Sequence, residues 1–402
     1  MPAVTKHIYD RQIFDIHLMW NKQLKQIANI LPSKYDEKII ISTIKEFFPY
    51  EWQFVEDCYE YYKIKDKYIE HFKGKKRYNM PTPCKLIQKN IIYRRLMSIN
   101  VQQNYFRNYN YDTAQSERAK LYKKRKKAID KVDNKIQLAK LKTQQVTPEF
   151  LDKLIGLYQR KRTTQKDKVY IITELKKYYS KDIIQFFLKV NDTEINRQLR
   201  EIAFYHLQSF NYHPRLRKQK YMQVHTKNKK EKEYLKKIYP YEKYSIPFTP
   251  KELEYRIGYG REQLIKEFDF FISHSSVDSA SVQKLVNYEN KNKVNIFCDW
   301  INDVDYLKRS LVCKATLKVI EKRLEQSKAV IFVLSDDSLK SIWCKYELNY
   351  FKELNRPIYV ISTSDIEKDN YQLNQYNDNW YIDPNYRELA LIHGKEIGKN
   401  NE

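Results

Sequence analysis

The 402-residue sequence holds no run of eighteen uncharged apolar residues, which argues against a membrane-spanning helix. Its opening stretch, Met1-Pro2-Ala3-Val4-Thr5-Lys6-His7, lacks the apolar core of a secretory signal, so a cytoplasmic location is expected. Cysteine is sparse: Cys58, Cys84, Cys298, Cys313 and Cys344 are scattered, odd in number and form no CxxC pair. That spacing speaks against a disulfide framework and against zinc ligation, leaving free thiols in a reducing compartment and no metal expected. Glycine is also scarce, six residues against 35 tyrosines. An AT-rich coding sequence would give the same skew, so composition by itself carries no functional weight. There is no internal repeat.

What is present is charge, unevenly placed. Residues 267–402 hold 18 Lys and Arg against 21 Asp and Glu; residues 1–266 hold 57 against 29, a net of +28. Coding bias acts on both parts alike, so the asymmetry needs another cause. A polyanionic partner such as nucleic acid is the natural candidate.

Taken in order, the first hundred residues read as helices. Phe14, Ile16, Leu18, Trp20 and Leu24 give a stripe of mixed period, and a run from Ser42 to Phe48 breaks at Pro49. From near Glu51, Trp52, Val55, Tyr59 and Tyr62 recur at three and four, which predicts a helix face. Gly74, Pro81 and Pro83 mark a loop. The basic stretch 116–142 keeps a narrow seam of Tyr122, Ile129, Val132, Ile136 and Ala139, with Arg125 its polar member. Thr147-Pro148-Glu149 restarts a helix whose apolar face is Phe150, Leu151, Leu154, Leu157 and Tyr158, so a hairpin over 116–162 is expected. Asp192-Thr193-Glu194 reads as another helix start, leading into Ile202, Phe204, Leu207 and Phe210. Residues 214–237 are the densest basic run. Tyr221 and His225 could stack on bases there, or the run could be a solvated face, and no recognised nucleic-acid signature accompanies it. Pro240, Pro247 and Pro250 form a boundary, and Thr249-Pro250-Lys251-Glu252 caps a helix predicted to reach about Lys266. The expected organisation is a basic, mostly helical region over 1–248 that senses a trigger or holds subunits together, a connecting helix over 249–266, and a last domain over 267–395.

That last domain alternates strand and helix. Phe268–Ser273, Val294–Cys298, Ala329–Leu334 and Pro357–Ile361 read as buried strands, with helices from about Asp278, around Leu317–Leu324, and around Trp343–Tyr350 between them. A parallel sheet follows, with ligands expected at its carboxyl edge. Three strand ends bring Ser273, His274 and Ser275, then Asp299 and Trp300, then Asp336 and Asp337 to that edge. The aspartates also suit helix caps, and His274 suits either a structural strand end or an acid–base role. Glu347 follows Trp343 by four, one helical turn. A glutamate there is most often a surface charge, yet one carboxylate beside an aromatic wall also suits a reaction passing through an oxocarbenium-like sugar.

Asp269-Phe270-Phe271-Ile272-Ser273-His274-Ser275, the Val294–Trp300 strand, Val333-Leu334-Ser335 and the block Ser341-Ile342-Trp343-Cys344-Lys345-Tyr346-Glu347-Leu348 together resemble a TIR (Toll/interleukin-1 receptor) domain of the bacterial type. The resemblance covers about 267–395, a third of the chain, with the four blocks in family order. It implies an α/β flavodoxin-like fold, preceded here by the helical region, and cleavage of NAD+ between nicotinamide and ribose. It places the catalytic glutamate of the Trp-Cys-x-x-Glu-Leu block on Glu347. Phe271 and Ser273 fall where the family lines its nucleotide pocket, and His274, Asp299, Trp300 and Trp343 are the further candidate substrate contacts. Residues 299–312 correspond to a mobile loop that implies head-to-tail homo-oligomers. NAD+ is then substrate, no metal or redox cofactor is implied, and the layout suggests an antiphage, growth-arresting effector, with nucleic acid or a phage-derived molecule as possible trigger and no membrane partner. The competing reading is a non-catalytic TIR scaffold whose basic region binds nucleic acid or a partner protein.

Overall fold

The structure, a computed structural model, describes residues 4–216, 224, 226, 228–239 and 241–376. Tyr221, His225 and Pro240 of the basic run and boundary, and the end of the last domain beyond residue 376, lie outside the described residues. The chain forms two compact units, one of residues 1–138 with 208–213, the other of residues 139–207 with 214–402.

The first unit is helical. Val4–Ile27, Glu37–Phe47 and Pro49–Lys73 are its main early helices. Trp20, Leu24, Ile44, Trp52 and Val55 from these faces fill one core, each at most 3% exposed. Asp36 caps the second helix by accepting from the Ile39 amide, and Pro49 opens the third as its first residue, where a missing N–H costs nothing. Gly74 ends that helix at φ +68°, the left-handed region that glycine enters without a Cβ penalty. The buried Asp66 carboxylate accepts from three successive amides, Arg77, Tyr78 and Asn79, at 2.7–2.9 Å and so ties down the following loop. The long basic helix runs Tyr111–Leu141. Arg125, Ile129, Val132 and Ile136 are half-buried along it as expected, but Tyr122 is 56% exposed and Leu121 packs on the core instead. A seam of three-four spacing admits either neighbour, and the smaller side chain fits beneath the helix.

In the second unit, helices Phe150–Gln159, Gln165–Leu175, Lys181–Thr193 and Arg197–Ser209 precede the sheet. Asp192-Thr193 close a helix here; they do not open one. The next begins at Arg197, where the buried Asn196 side chain accepts from the Leu199 amide and supplies the cap. The helix expected over 249–266 is broken in two, Pro250–Tyr259 and Arg261–Leu264. Gly260 sits at the break because a Cβ would come within 2.7 Å of Arg256 and Glu262, which are locked in an ion pair.

The sheet comprises β1 (Phe268–Ser273), β2 (Ile296–Phe297), β3 (Ser327–Leu334), β4 (Ile358–Ser362) and β5 (Asn374–Gln375), in the order β2-β1-β3-β4-β5. The first four are parallel, and β5 is an antiparallel edge strand that the sequence reading did not contain. This is the doubly wound, flavodoxin-like order, with its switch point between β1 and β3, where β1 residue Ser273 pairs with Phe332. From Ala329 to Val333 the central strand β3 is buried on both faces, which is why it reads as a continuous apolar run. Ile272, Val282, Leu285, Ile331 and Val333 form the core against helix Ser279–Lys291; helix Ile342–Glu353 covers the other face.

Candidate functional site

β1 ends at Ser273, whose side chain lies on the same face as Phe271 because strand side chains alternate. The helix that follows β3's polar end begins at Ile342, capped by Ser341, whose hydroxyl accepts from the Cys344 amide. One turn on, that helix lays Glu347 over the end of β1. Ser273 Oγ donates to Glu347 Oε2 at 2.6 Å, a contact across 74 residues of sequence. Ser273 is 0% exposed and Glu347 9%. Burial pushes the Glu347 carboxyl up to about 8, the Ser273 hydrogen bond opposes this, and the nearby Asp299 carboxylate adds to it. A carboxyl held near neutrality, with one hydroxyl aimed at it, is the arrangement expected of a working acid or anion.

The rim is Asp299, half-exposed, which opens the short helix Asp299–Asn302 after β2. The His274 ring is nearly buried; Nδ1 donates to the Ile272 carbonyl at 3.3 Å, and Nε2 lies 4.0 Å from Asp299 Oδ1. Trp300 packs on the Ile272–Ile331 core, half-buried, with its indole N–H enclosed and without a hydrogen-bond partner among the described residues. Ser273, His274, Asp299 and Glu347 are thus brought together at one edge. Phe271 lies one pleat below, 2% exposed and stacked on Phe297 with centroids 5.2 Å apart, so it supports Ser273 from beneath. Trp343 packs with Leu317, Tyr346 and Tyr350, on the side of its helix that meets Lys314–Glu325. Asp336 and Asp337 are exposed in the first turn of the helix capped by Ser335 and take no part.

Two cysteines, plain thiols by their spacing, also stand at the site. Cys344, one turn before Glu347, is pushed up to about 12 by burial and by the Glu347 charge. Cys298, fully buried at the end of β2, is also pushed well up by burial, with Asp299 adding to it. Among the described residues, His274, Cys298 and Asp299 are the group whose donor atoms could hold a metal ion, all within 4.8 Å of one another. All five cysteines are free, and among the described residues no helix is long and apolar enough to cross a membrane.

The family profile described as TIR domain matches residues 270–389. The chain is 34% identical over 366 residues to the protein named "Putative cyclic ADP-D-ribose synthase TIR2" of Cytobacillus dafuensis, covering 91% of this chain and 93% of that one. It is 31% identical over 117 residues to "Probable 3' cyclic ADP-D-ribose synthase ThsB'" of Bacillus cereus, covering 29% of this chain and 58% of the relative. A 106-residue segment is 32% identical to Toll-like receptor 2 of Homo sapiens, covering 25% of this chain and 13% of the receptor. No solved structure matches.

Proposed function

This chain belongs to the TIR-domain family, and from that membership we propose that it is an NAD+ glycohydrolase with Glu347 as its catalytic group. The observation that carries the reading is the enclosed Ser273–Glu347 contact at 2.6 Å on the carboxyl edge of the sheet. NAD+ brings a cationic nicotinamide riboside to that carboxyl, and an approaching positive charge favours its ionised form. The C–N bond to nicotinamide breaks with its electron pair leaving on the ring nitrogen, so neutral nicotinamide departs. The ribosyl oxocarbenium that remains is stabilised by the Glu347 carboxylate, whose effect is greatest in a site closed to water. Water attacking the anomeric carbon and losing a proton gives ADP-ribose; a nucleophile within the same ADP-ribosyl unit gives a cyclic product. Ser273 orients the carboxylate, while His274 and Asp299 flank it at the rim. Likeness over nine-tenths of the chain to a protein named as a cyclic ADP-ribose synthase supports this over the scaffold reading.

Activation by assembly through TIR–TIR contacts belongs to the same proposal, as does a cytoplasmic, growth-arresting antiphage role. The excess of 57 basic over 29 acidic residues in 1–266 supports a polyanionic trigger acting on that region. The test is incubation of concentrated protein with NAD+, with and without added nucleic acid, followed by chromatography of nicotinamide. Release by wild type that Glu347→Gln abolishes supports the enzyme. Absence of release under every assembly condition leaves the scaffold.

A further inference from the structure

The turn that carries Asp299 and Trp300 is held by residues far upstream of the sheet. Asn302, 1% exposed, ends the short helix, and its side-chain oxygen accepts from the Cys298 amide and from Gln144 Nε2, both at 2.9 Å. Gln144, fully buried, also donates through Nε2 to the Ile296 carbonyl of edge strand β2 at 2.5 Å. Its own main chain is pinned, its amide donating to the Lys177 carbonyl and its carbonyl accepting from the Tyr179 amide, each at 2.9 Å.

The next residue, Asp303, is 0% exposed and accepts from Arg323 at 2.7 and 3.3 Å and from Lys177 at 3.4 Å. Lys177 donates on to Glu174 at 2.7 Å, and Glu174 also accepts from Lys266 at 2.5 Å and from Gln263 at 3.0 Å. Gln263 closes the circuit by accepting from Arg323 at 2.8 Å. Three residues further, Tyr306 is 1% exposed, edge-on to Phe248 and packed with Leu253, Ile257 and Val319. Asn302, Asp303 and Tyr306 are therefore each gripped by side chains from residues 144–257.

A buried charge network of this kind is weak evidence for stability, because an apolar cluster of equal volume would serve as well. What it supplies is direction: Asp303, Glu174, Lys177 and Arg323 each meet their partners through hydrogen bonds of set geometry. We propose that Gln144 and Lys177 are positioning residues of the NAD+ site, holding the Cys298–Tyr306 turn so that Asp299 stands beside His274 and Glu347 at the carboxyl edge of the sheet. The working catalytic unit then begins near residue 139, well before the first strand. The catalytic half of this rests on the proposed function; the anchoring half does not.

The test uses the full chain with Lys177→Met, the conservative Lys177→Arg, and Gln144→Met, which alters no charge and serves if Lys177→Met does not fold. Amides of Ile301, Asn302, Asp303, Tyr306 and Leu307 are all bonded within the turn, so hydrogen exchange reads their opening directly. In Lys177→Met or Gln144→Met they are expected to exchange about tenfold faster while β3 amides stay within about twofold, with Lys177→Arg near wild type. Steady-state cleavage is expected to show KM for NAD+ raised about tenfold and kcat changed less than about threefold, as when binding contacts are lost without the chemistry. Unchanged exchange in the turn, or protection lost equally in β3, overturns the anchor. Loss of kcat with KM unmoved makes these residues structural only. If the wild type cleaves no NAD+, the proposed function and the assignment to an NAD+ site both fall, while the exchange arm still decides the anchor.

Discussion

Replacing Ser273 with alanine is expected to move the acid limb of NAD+ cleavage to higher pH, not merely to lower its height. In the free protein Glu347 titrates near 8, mainly through burial; Asp299 adds to the rise, and the Ser273 hydroxyl is the group that opposes it. If the carboxylate is the active form, kcat/KM in wild type climbs about tenfold per pH unit below that value and levels above it. A hydrogen bond from a hydroxyl to an ionised partner contributes about 1.5–3 kcal/mol, and 2.6 Å is the short distance expected of a strong one. At about 1.4 kcal/mol per pKa unit, losing it raises Glu347 by about one to two units. At neutral pH the variant is then about ten- to a hundredfold slower, and most of the deficit is recovered by about pH 10. Nicotinamide release measured at substrate concentrations far below KM, from about pH 5.5 to about pH 10, gives the profile. A drop of equal size at every pH, or a limb that moves down, would refute the assignment of Ser273 as the hydrogen-bond donor that lowers Glu347.

Four other outcomes follow from the same geometry. Asp299→Asn removes the carboxylate that raises Glu347 and is expected to move the acid limb the opposite way, to lower pH, in the same assay. Glu347→Gln is expected to be more stable than wild type at alkaline pH: the folded carboxyl keeps its proton up to about 8, so wild-type stability falls between about pH 4.5 and 8 as the unfolded chain ionises. Thermal melts should show the gap in Tm opening across that window and closing below it, the underlying stability difference reaching at most about 5 kcal/mol. Arg323→Met leaves the buried Asp303 with Lys177 as its remaining ion-pair partner among the described residues and is expected to cost about 3–5 kcal/mol, read by denaturant unfolding. Gly260→Ala is expected to cost about 1–3 kcal/mol in the same measurement, because the Cβ would strike Arg256 and Glu262 at 2.7 Å.

The sheet was legible because each parallel strand is a short apolar run ending in polar residues, a pattern that burial on both faces imposes. Glu347 and Ser273 were legible together for a related reason: a strand end and a helix turn are fixed by local pattern, and the fold brings them to one edge. β5 was not, since Asn374 and Gln375 are exposed polar residues on an edge strand that no pattern marks. Nor were Gln144, Glu174 and Lys177, which look like ordinary solvent-facing side chains in a basic helical stretch: Gln144 and Lys177 meet Ile296, Asn302 and Asp303 more than a hundred residues on, and Glu174 meets Gln263 and Lys266, 89 and 92 residues on. Trp343 misled by its spacing: 343 and 347 are one turn apart, yet the tryptophan leans toward Tyr346 and Tyr350. The two cysteines beside Glu347 carry no sequence signal beyond being apolar.

The most direct test follows NAD+ by proton NMR in the presence of wild type and of Glu347→Gln, at matched and high protein concentration. The account predicts that free nicotinamide and an ADP-ribosyl anomeric signal grow together with wild type, while the folded variant leaves NAD+ intact. Equal turnover by the variant would contradict it.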